Sequence, residues 1–273
     1  VDDGILLTAQ SLVIAVTLWL TGIGLGLQVS LADILRSLTR VGLVARTLTL
    51  DLLLLPVAMW VAVRLLVDDE GYATGLLLVA FASAGPLGLK LAHVLRADTA
   101  YAIGIVVVLE LSNLLFVPLW ASLLDLTTSA AVVLEIVRTV ALLVVLPVGI
   151  GMGLRRWRSG TTTVAARLLR GATIGLAIGV TIVLLRTSEQ VLASLANGAM
   201  LAAVLVIGFA LGAGWLLGWT DRGTRRTTSV VTACRASAAA LAVATTAFAD
   251  RPEVAAGVVT AGLVSITLPT LVA

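Results

Sequence analysis

Val79-Ala80-Phe81-Ala82-Ser83-Ala84-Gly85-Pro86-Leu87-Gly88-Leu89-Lys90 decides how this chain folds. The run is apolar enough to lie in a bilayer, yet Gly85 and Pro86 stand at its middle. Pro86 lacks an N–H and its ring obstructs the carbonyl four residues earlier, so a helix is expected to break there. In a membrane such a break survives only where protein or a wet cavity covers the freed backbone groups. A span broken at mid-depth therefore points to a binding site, because half-helix ends offer unpaired N–H and C=O groups.

The rest of the chain agrees with a membrane setting. Of its 273 residues 60% are hydrophobic and 12% charged, against roughly half apolar and about a quarter charged in a soluble domain. Apolar stretches near 5 to 27, 41 to 67, 73 to 95, 99 to 124, 131 to 154, 164 to 186, 194 to 218, 226 to 248 and 252 to 273 are long enough to cross a ~30 Å hydrocarbon core. The expected fold is all-α and polytopic, with nine transmembrane helices. The first stretch has no basic segment before it and is too long for a signal peptide, so it is expected to stay as a helix.

Arginines mark alternate connections: Arg36 and Arg40, then Arg96, then Arg155, Arg156, Arg158, Arg167 and Arg170, then Arg222, Arg225 and Arg226. The other connections are acidic or mixed, as at Asp68-Asp69-Glu70, Asp125, Glu189 and Asp250-Arg251-Pro252-Glu253. The positive-inside bias then puts the N-terminus outside and the C-terminus in the cytoplasm, in the cytoplasmic membrane of a prokaryote. The net charge of +3 follows the loops and forms no single patch, so nucleic acid is not an expected partner. Cys234 and His93 are each single in the chain, which excludes an internal disulfide and a multi-Cys or multi-His metal cluster. No cofactor is expected.

The eighth span carries Ala233-Cys234-Arg235-Ala236-Ser237-Ala238-Ala239-Ala240 at its middle, small residues around a charge. Ala97-Asp98 follows the third span and Ala249-Asp250 the eighth. The two units lie five helices apart, an odd number, so they are inverted in the membrane. Residues 1–124 form a first repeat of four helices and residues 125–273 a second of five. Plain tight packing of Gly and Ala is the competing account, and for the eighth span, with neither Gly nor Pro, the two weigh equally.

These two crossing segments resemble those of the bile acid:sodium symporter family, within the group that includes auxin carriers and arsenite exporters. The likeness runs ungapped from Val79 through Asp98 and from Arg225 through Phe248, and Gly24-Leu25-Gly26-Leu27 also fits. It implies a core domain holding two discontinuous crossing helices, a separate panel domain, and substrate between them. It also implies a further helix at the front, which the first repeat lacks. The family's sodium-ligating positions fall here on Gly88, Leu89, Val231, Arg235, Asp51 and Glu110. Sodium takes several hard oxygens, and Leu, Val, ammonium and guanidinium groups supply none. Sodium coupling is therefore expected to be altered or lost.

Independently of any family, Asp51, Lys90, Glu110 and Arg235 lie deep inside their spans and their charges cancel. Each costs ~2.5–3.5 kcal/mol at a helix centre, so they are expected to pair or to line a wet cavity. In one reading Lys90 and Arg235 replace two sodium ions, with Glu110 and Asp51 as partners, and Arg235 meets Asp51 directly. In another the two cations face the cleft and hold a small organic anion. Asp51 and Glu110 are also candidates to carry a proton, since desolvation favours a neutral carboxyl. The candidate substrate and coupling site comprises Asp51, Gly85, Pro86, Gly88, Leu89, Lys90, Glu110, Val231, Arg235 and Ser237.

Lesser features are His93, read as a packing or capping residue; Glu135 with Arg138, a surface pair; and six tryptophans near span ends, Trp120 and Trp219 among them, read as interfacial anchors. An enzyme is not expected, since neither Ser-His-Asp spacing nor paired His ligands occur. The expected function is secondary transport of a small organic anion by alternating access, as a monomer or weak homodimer. A channel, a transporter-derived sensor, or an arsenite or auxin type of efflux carrier are the alternatives.

Overall fold

The computed structural model describes residues 3–30, 32, 34–35, 39–124, 130–157, 162–218 and 221–272; Arg36, Asp125, Arg158 and Trp219 lie outside the described residues. The regular elements among them are helices: α1 (Asp3–Gln28), α2 (Val41–Leu66), α3 (Glu70–Phe81), α4 (Pro86–Val94), α5 (Thr99–Leu123), α6 (Ala130–Trp157), α7 (Thr162–Ala193), α8 (Ala199–Leu217), α9 (Arg222–Ala233), α10 (Ser237–Ala247) and α11 (Pro252–Val272). Seven of these, α1, α2, α5, α6, α7, α8 and α11, are long and apolar enough to cross a membrane. The remaining four are two pairs of short helices, the first pair interrupted by four residues and the second by three. Large apolar side chains also cover the outside, as Leu115, Leu134 and Leu216 do. A helix that is apolar all round belongs in lipid or in a core.

Side-chain caps set several helix starts. The Asp69 carboxylate accepts from the amides of Gly71 (2.8 Å) and Tyr72 (3.1 Å), so the third span begins at Glu70, ahead of its expected start at 73. Asp98 and Asp221 do the same for α5 and α9 through Tyr101 N and Thr224 N. The end of α4 is closed by Arg96, whose φ of 51° is left-handed. Its amide bonds His93 O and the Ala97 amide bonds Ala92 O, a Schellman closure with arginine where glycine is usual. Helix α7 runs on to Ala193, past the expected end near 186, because neither Gly nor Pro interrupts the sequence between them.

Two π turns widen the long helices, Leu50–Leu54 in α2 and Ala141–Val145 in α6. Each is followed two residues later by a proline, Pro56 and Pro147. A proline removes one N–H from the ladder and crowds the carbonyl four residues before it, and an extra residue in the turn relieves both. The carbonyl four before Pro56 belongs to Leu52, and the Trp120 indole N–H donates to it at 2.8 Å while its ring stacks on Phe81. Trp120, half-buried near the end of α5, therefore also ties α5 to α2 and α3, a role beyond the anchoring expected of it.

Helix α1 packs against α7 and the second half of α6, while α3 lies along α11, α8 touches α2, α9 and α11, and α4 packs on α9 and α5. The α1–α6 crossing is a backbone contact: a Cβ at Gly26 would lie 2.8 Å from the Gly151 Cα. Small residues permit such approach where no hydrophobic driving force acts between helices. One end of the bundle gathers Arg40, Asp98, Leu95, Gly223 and Arg226, tied by the Arg40–Asp98 pair (2.6 Å) and the Arg226 Nη1 bond to Leu95 O (2.9 Å). The other end joins Tyr72 to Gln190 O at 2.5 Å and brings Gly198 against Leu66. Glu135 and Arg138 sit 4.0 Å apart on the surface of α6.

Candidate functional site

Both interruptions meet at one point. Gly85 N donates to Cys234 O (2.8 Å) and Ala236 N to Ser83 O (3.1 Å), which makes Ala84 and Arg235 an isolated antiparallel pair. The two broken helices thus lend each other the backbone partners that the breaks removed. Gly85 is required by proximity, since a Cβ there would lie 2.9 Å from Arg235 O. The backbone of Pro86 occupies the first turn of α4, where its missing N–H costs nothing. The break between α9 and α10 contains no breaker residue, so tertiary pairing produces it.

Arg235 is the centre of this crossing. Its Nη1 pairs with Asp51 Oδ1 and also bonds Thr232 O (3.3 Å), its Nε donates to Val79 O (3.3 Å), and its Nη2 to Ala80 O (2.6 Å). Val79 and Ala80 close α3, where carbonyls have lost their helical partners and the helix dipole favours a cation. Asp51 reaches inward from the π turn of α2, fully buried, and its Oδ2 has no hydrogen-bond partner among the described residues. The structure therefore joins the two charges that sequence alone placed at matching depth.

The other positions expected to matter are of two kinds. Gly88 packs on the Val231 backbone, and Leu89 and Val231 are buried in one apolar cluster with Ala84, Leu109 and Cys234. Hydrocarbon fills these places, so their side chains offer no oxygen to a hard cation. Gly85, Lys90, Glu110, Arg235 and Ser237 instead line a cavity of about 300 Å³ between the crossing and helices α1, α6 and α7. Leu18, Leu25, Val144, Leu169 and Leu176 make its wall largely apolar. The Ser237 hydroxyl lies 3.4 Å from that of Ser265.

Glu110 and Lys90 do not pair, which corrects the expectation. Glu110 Oε2 accepts from Asn113 Nδ2 (3.1 Å), and Asn113 Oδ1 accepts from the Ser83 amide (2.9 Å). That amide lies in the α3–α4 interruption and fixes which way the Asn113 amide points. Glu110 is thus tied to the crossing through Asn113. Lys90 points from α4 across to α7, where it donates to the Thr173 hydroxyl. Sequence reasoning gave Ser83 no role of its own and missed Asn113 and Thr173; Asn113, three residues after Glu110 on one helix face, was the legible signal. His93 is exposed in the last turn of α4 and Cys234 is buried.

Comparison with curated proteins gives no match. The family model described as the Sodium Bile acid symporter family matches residues 15–195, about two thirds of the chain. The match takes in α3, α4 and their interruption and stops before α9. Seven apolar spans, a helix broken at Gly85-Pro86 and this match lead to one assignment: the chain is a multi-pass membrane protein that belongs to the sodium bile acid symporter family.

Proposed function

We propose that the chain is a secondary transporter of a small organic anion in which a fixed guanidinium does the structural work that sodium does in relatives. Its nine spans form two inverted repeats, 1–124 and 125–273, with α1, α6 and α7 as panel and the remaining helices as core. The substrate binds in the cavity between them and is exposed alternately to the two sides, with the N-terminus outside the cytoplasmic membrane and the C-terminus within.

The observation that carries this reading is the Arg235 guanidinium, bonded to Asp51, Val79 O and Ala80 O where two broken helices cross. A cation coordinated there would neutralise the same carbonyl ends. The guanidinium already does so, and Leu89 and Val231 put hydrocarbon at positions where the family resemblance expects oxygen ligands. Residues and ion do not fit, so no step of the cycle is routed through sodium.

Counterflow of radiolabelled organic anions in proteoliposomes tests this, with sodium replaced by potassium or choline at constant ionic strength. Saturable counterflow of equal rate in all three salts is expected. A steep, saturable sodium requirement overturns the substitution. Linear, unsaturable flux means a channel, and binding without flux means a sensor.

A further inference from the structure

Two cations line the cavity, and only one is committed. Arg235 uses four of its hydrogen-bonding directions on Asp51, Thr232 O, Val79 O and Ala80 O. Lys90 bonds the neutral Thr173 hydroxyl, and no carboxylate among the described residues forms an ion pair with it. Thr173 spends its own proton on Leu169 O (2.8 Å), so its oxygen accepts from Lys90. An ammonium carries three donors, which leaves two for a ligand. A cation within an apolar wall lacks its compensating charge.

The wall supplies a second pointer. Thr17 also lines the cavity, is 3% exposed, and its hydroxyl has no hydrogen-bond partner among the described residues. The lining further fixes what kind of molecule fits. Hydrocarbon from Leu18, Leu25, Val144 and Leu176 asks for an apolar body, and with Arg235 committed to the crossing the lining holds, among the described residues, no second free cation for a second negative charge. At about 300 Å³ the space stands at the floor of the ~300–1,000 Å³ range of ligand pockets. A single ring or a short acyl chain suits it; a fused polycycle does not.

We propose that Lys90 is the anion-binding residue of this cavity and that its ligand is a compact monocarboxylate, with the head group on the Lys90 ammonium and the hydrocarbon body against the leucine and valine wall. The carboxylate competes with Thr173 for Lys90, so occupancy loosens a bond that joins α4 to α7. The use of this site in transport rests on the proposed function; the site itself does not.

Calorimetry on the full chain in lipid nanodiscs, in choline buffer at neutral pH, provides the test. The probes are benzoate and hexanoate, with benzamide as neutral control, terephthalate as dianion and cholate as fused-ring acid. Benzoate or hexanoate is expected to bind, and the three controls to bind about tenfold more weakly or worse. Lys90→Gln should raise the benzoate or hexanoate dissociation constant about tenfold or more, Lys90→Arg should retain binding, and Thr173→Val should tighten it by freeing the ammonium. Absence of binding by both acids to folded protein overturns the proposal, as does binding indifferent to Lys90→Gln or confined to cholate. Should Lys90→Gln fail to fold, the probe series and Thr173→Val still decide. Lys90-dependent binding without counterflow sinks the transporter reading and leaves the site standing. Saturable counterflow indifferent to Lys90→Gln does the reverse.

Discussion

At the crossing, Arg235 is 5% exposed and its guanidinium is held by a carboxylate and three backbone carbonyls. At the cavity, Lys90 is exposed and its ammonium rests on one neutral hydroxyl. Both are cations placed deep in apolar spans, which costs free energy in either case. The molecule recovers that cost at Arg235 with its own groups, and at Lys90 it leaves a partner wanting. The chemistry of each residue suits its place: a planar fork fills several fixed acceptors at once, whereas an ammonium is a mobile point charge. One cation holds the fold together, and the other is available to a ligand.

The largest effect is expected from breaking the crossing. Asp51→Asn or Arg235→Gln strands the remaining charge at low dielectric, and each should cost about 3–5 kcal/mol of stability. The double change should recover part of that loss, and a thermal-stability cycle reads the coupling. Additive losses would mean that the pair contributes nothing as a pair and would collapse the contrast with Lys90.

Next comes the backbone approach that lets Arg235 reach α3. Gly85→Ala places a Cβ 2.9 Å from Arg235 O, and two broken helices cannot separate without losing the Gly85–Cys234 and Ala236–Ser83 bonds. A cost of about 1–3 kcal/mol is expected, as for overpacking, measured as a shift in the unfolding midpoint. A neutral result would show that the crossing is looser than its hydrogen bonds imply.

Smaller still is the support behind Asp51. Trp120→Phe keeps a ring to stack on Phe81 but removes the donor to Leu52 O, and a loss of about 1–2 kcal/mol is expected for the stranded carbonyl. If that donor helps hold the π turn in shape, Trp120→Phe should weaken the coupling between Asp51 and Arg235. An unchanged coupling energy in the Trp120→Phe background would separate the two.

How legible all this was in the sequence differs element by element. The break at Gly85-Pro86 could be read directly, because proline's missing N–H acts locally. The break at Cys234-Arg235-Ala236 could not, because its cause is the other chain segment that bonds to it. Asp51 and Arg235 were matched by depth and charge, which sequence carries. The π turn that aims Asp51 inward was signalled by Pro56 and went unread, as did its twin before Pro147. Lys90 and Glu110 also matched in depth and charge and yet do not meet, because Asn113 holds Glu110 and Thr173 holds Lys90. Charge balance predicts that partners exist, and packing chooses them. The cavity was the least legible feature, since its wall comes from helices far apart in sequence and apolar on every side.

The smallest stability effect, and the sharpest test of the contrast, is expected at Lys90. Its hydroxyl bond to Thr173 is a neutral-acceptor bond beside a cavity, so the ammonium gains little from the fold and pays part of its desolvation. Removing it therefore subtracts a weak bond and a cost of similar size, and Lys90→Gln should change stability by no more than about 0.5 kcal/mol, the range of substitutions away from structural networks. Arg235→Gln in the same assay should lose about 3–5 kcal/mol. Equal losses from the two variants would mean that Lys90 is a second clasp between α4 and α7 and not a free charge, and the division of labour between the two cations would fall with it. A near-zero change beside a large one at Arg235 would leave the lysine without a structural reason for its place, and ligand binding would then be the remaining account of why a charge stands there.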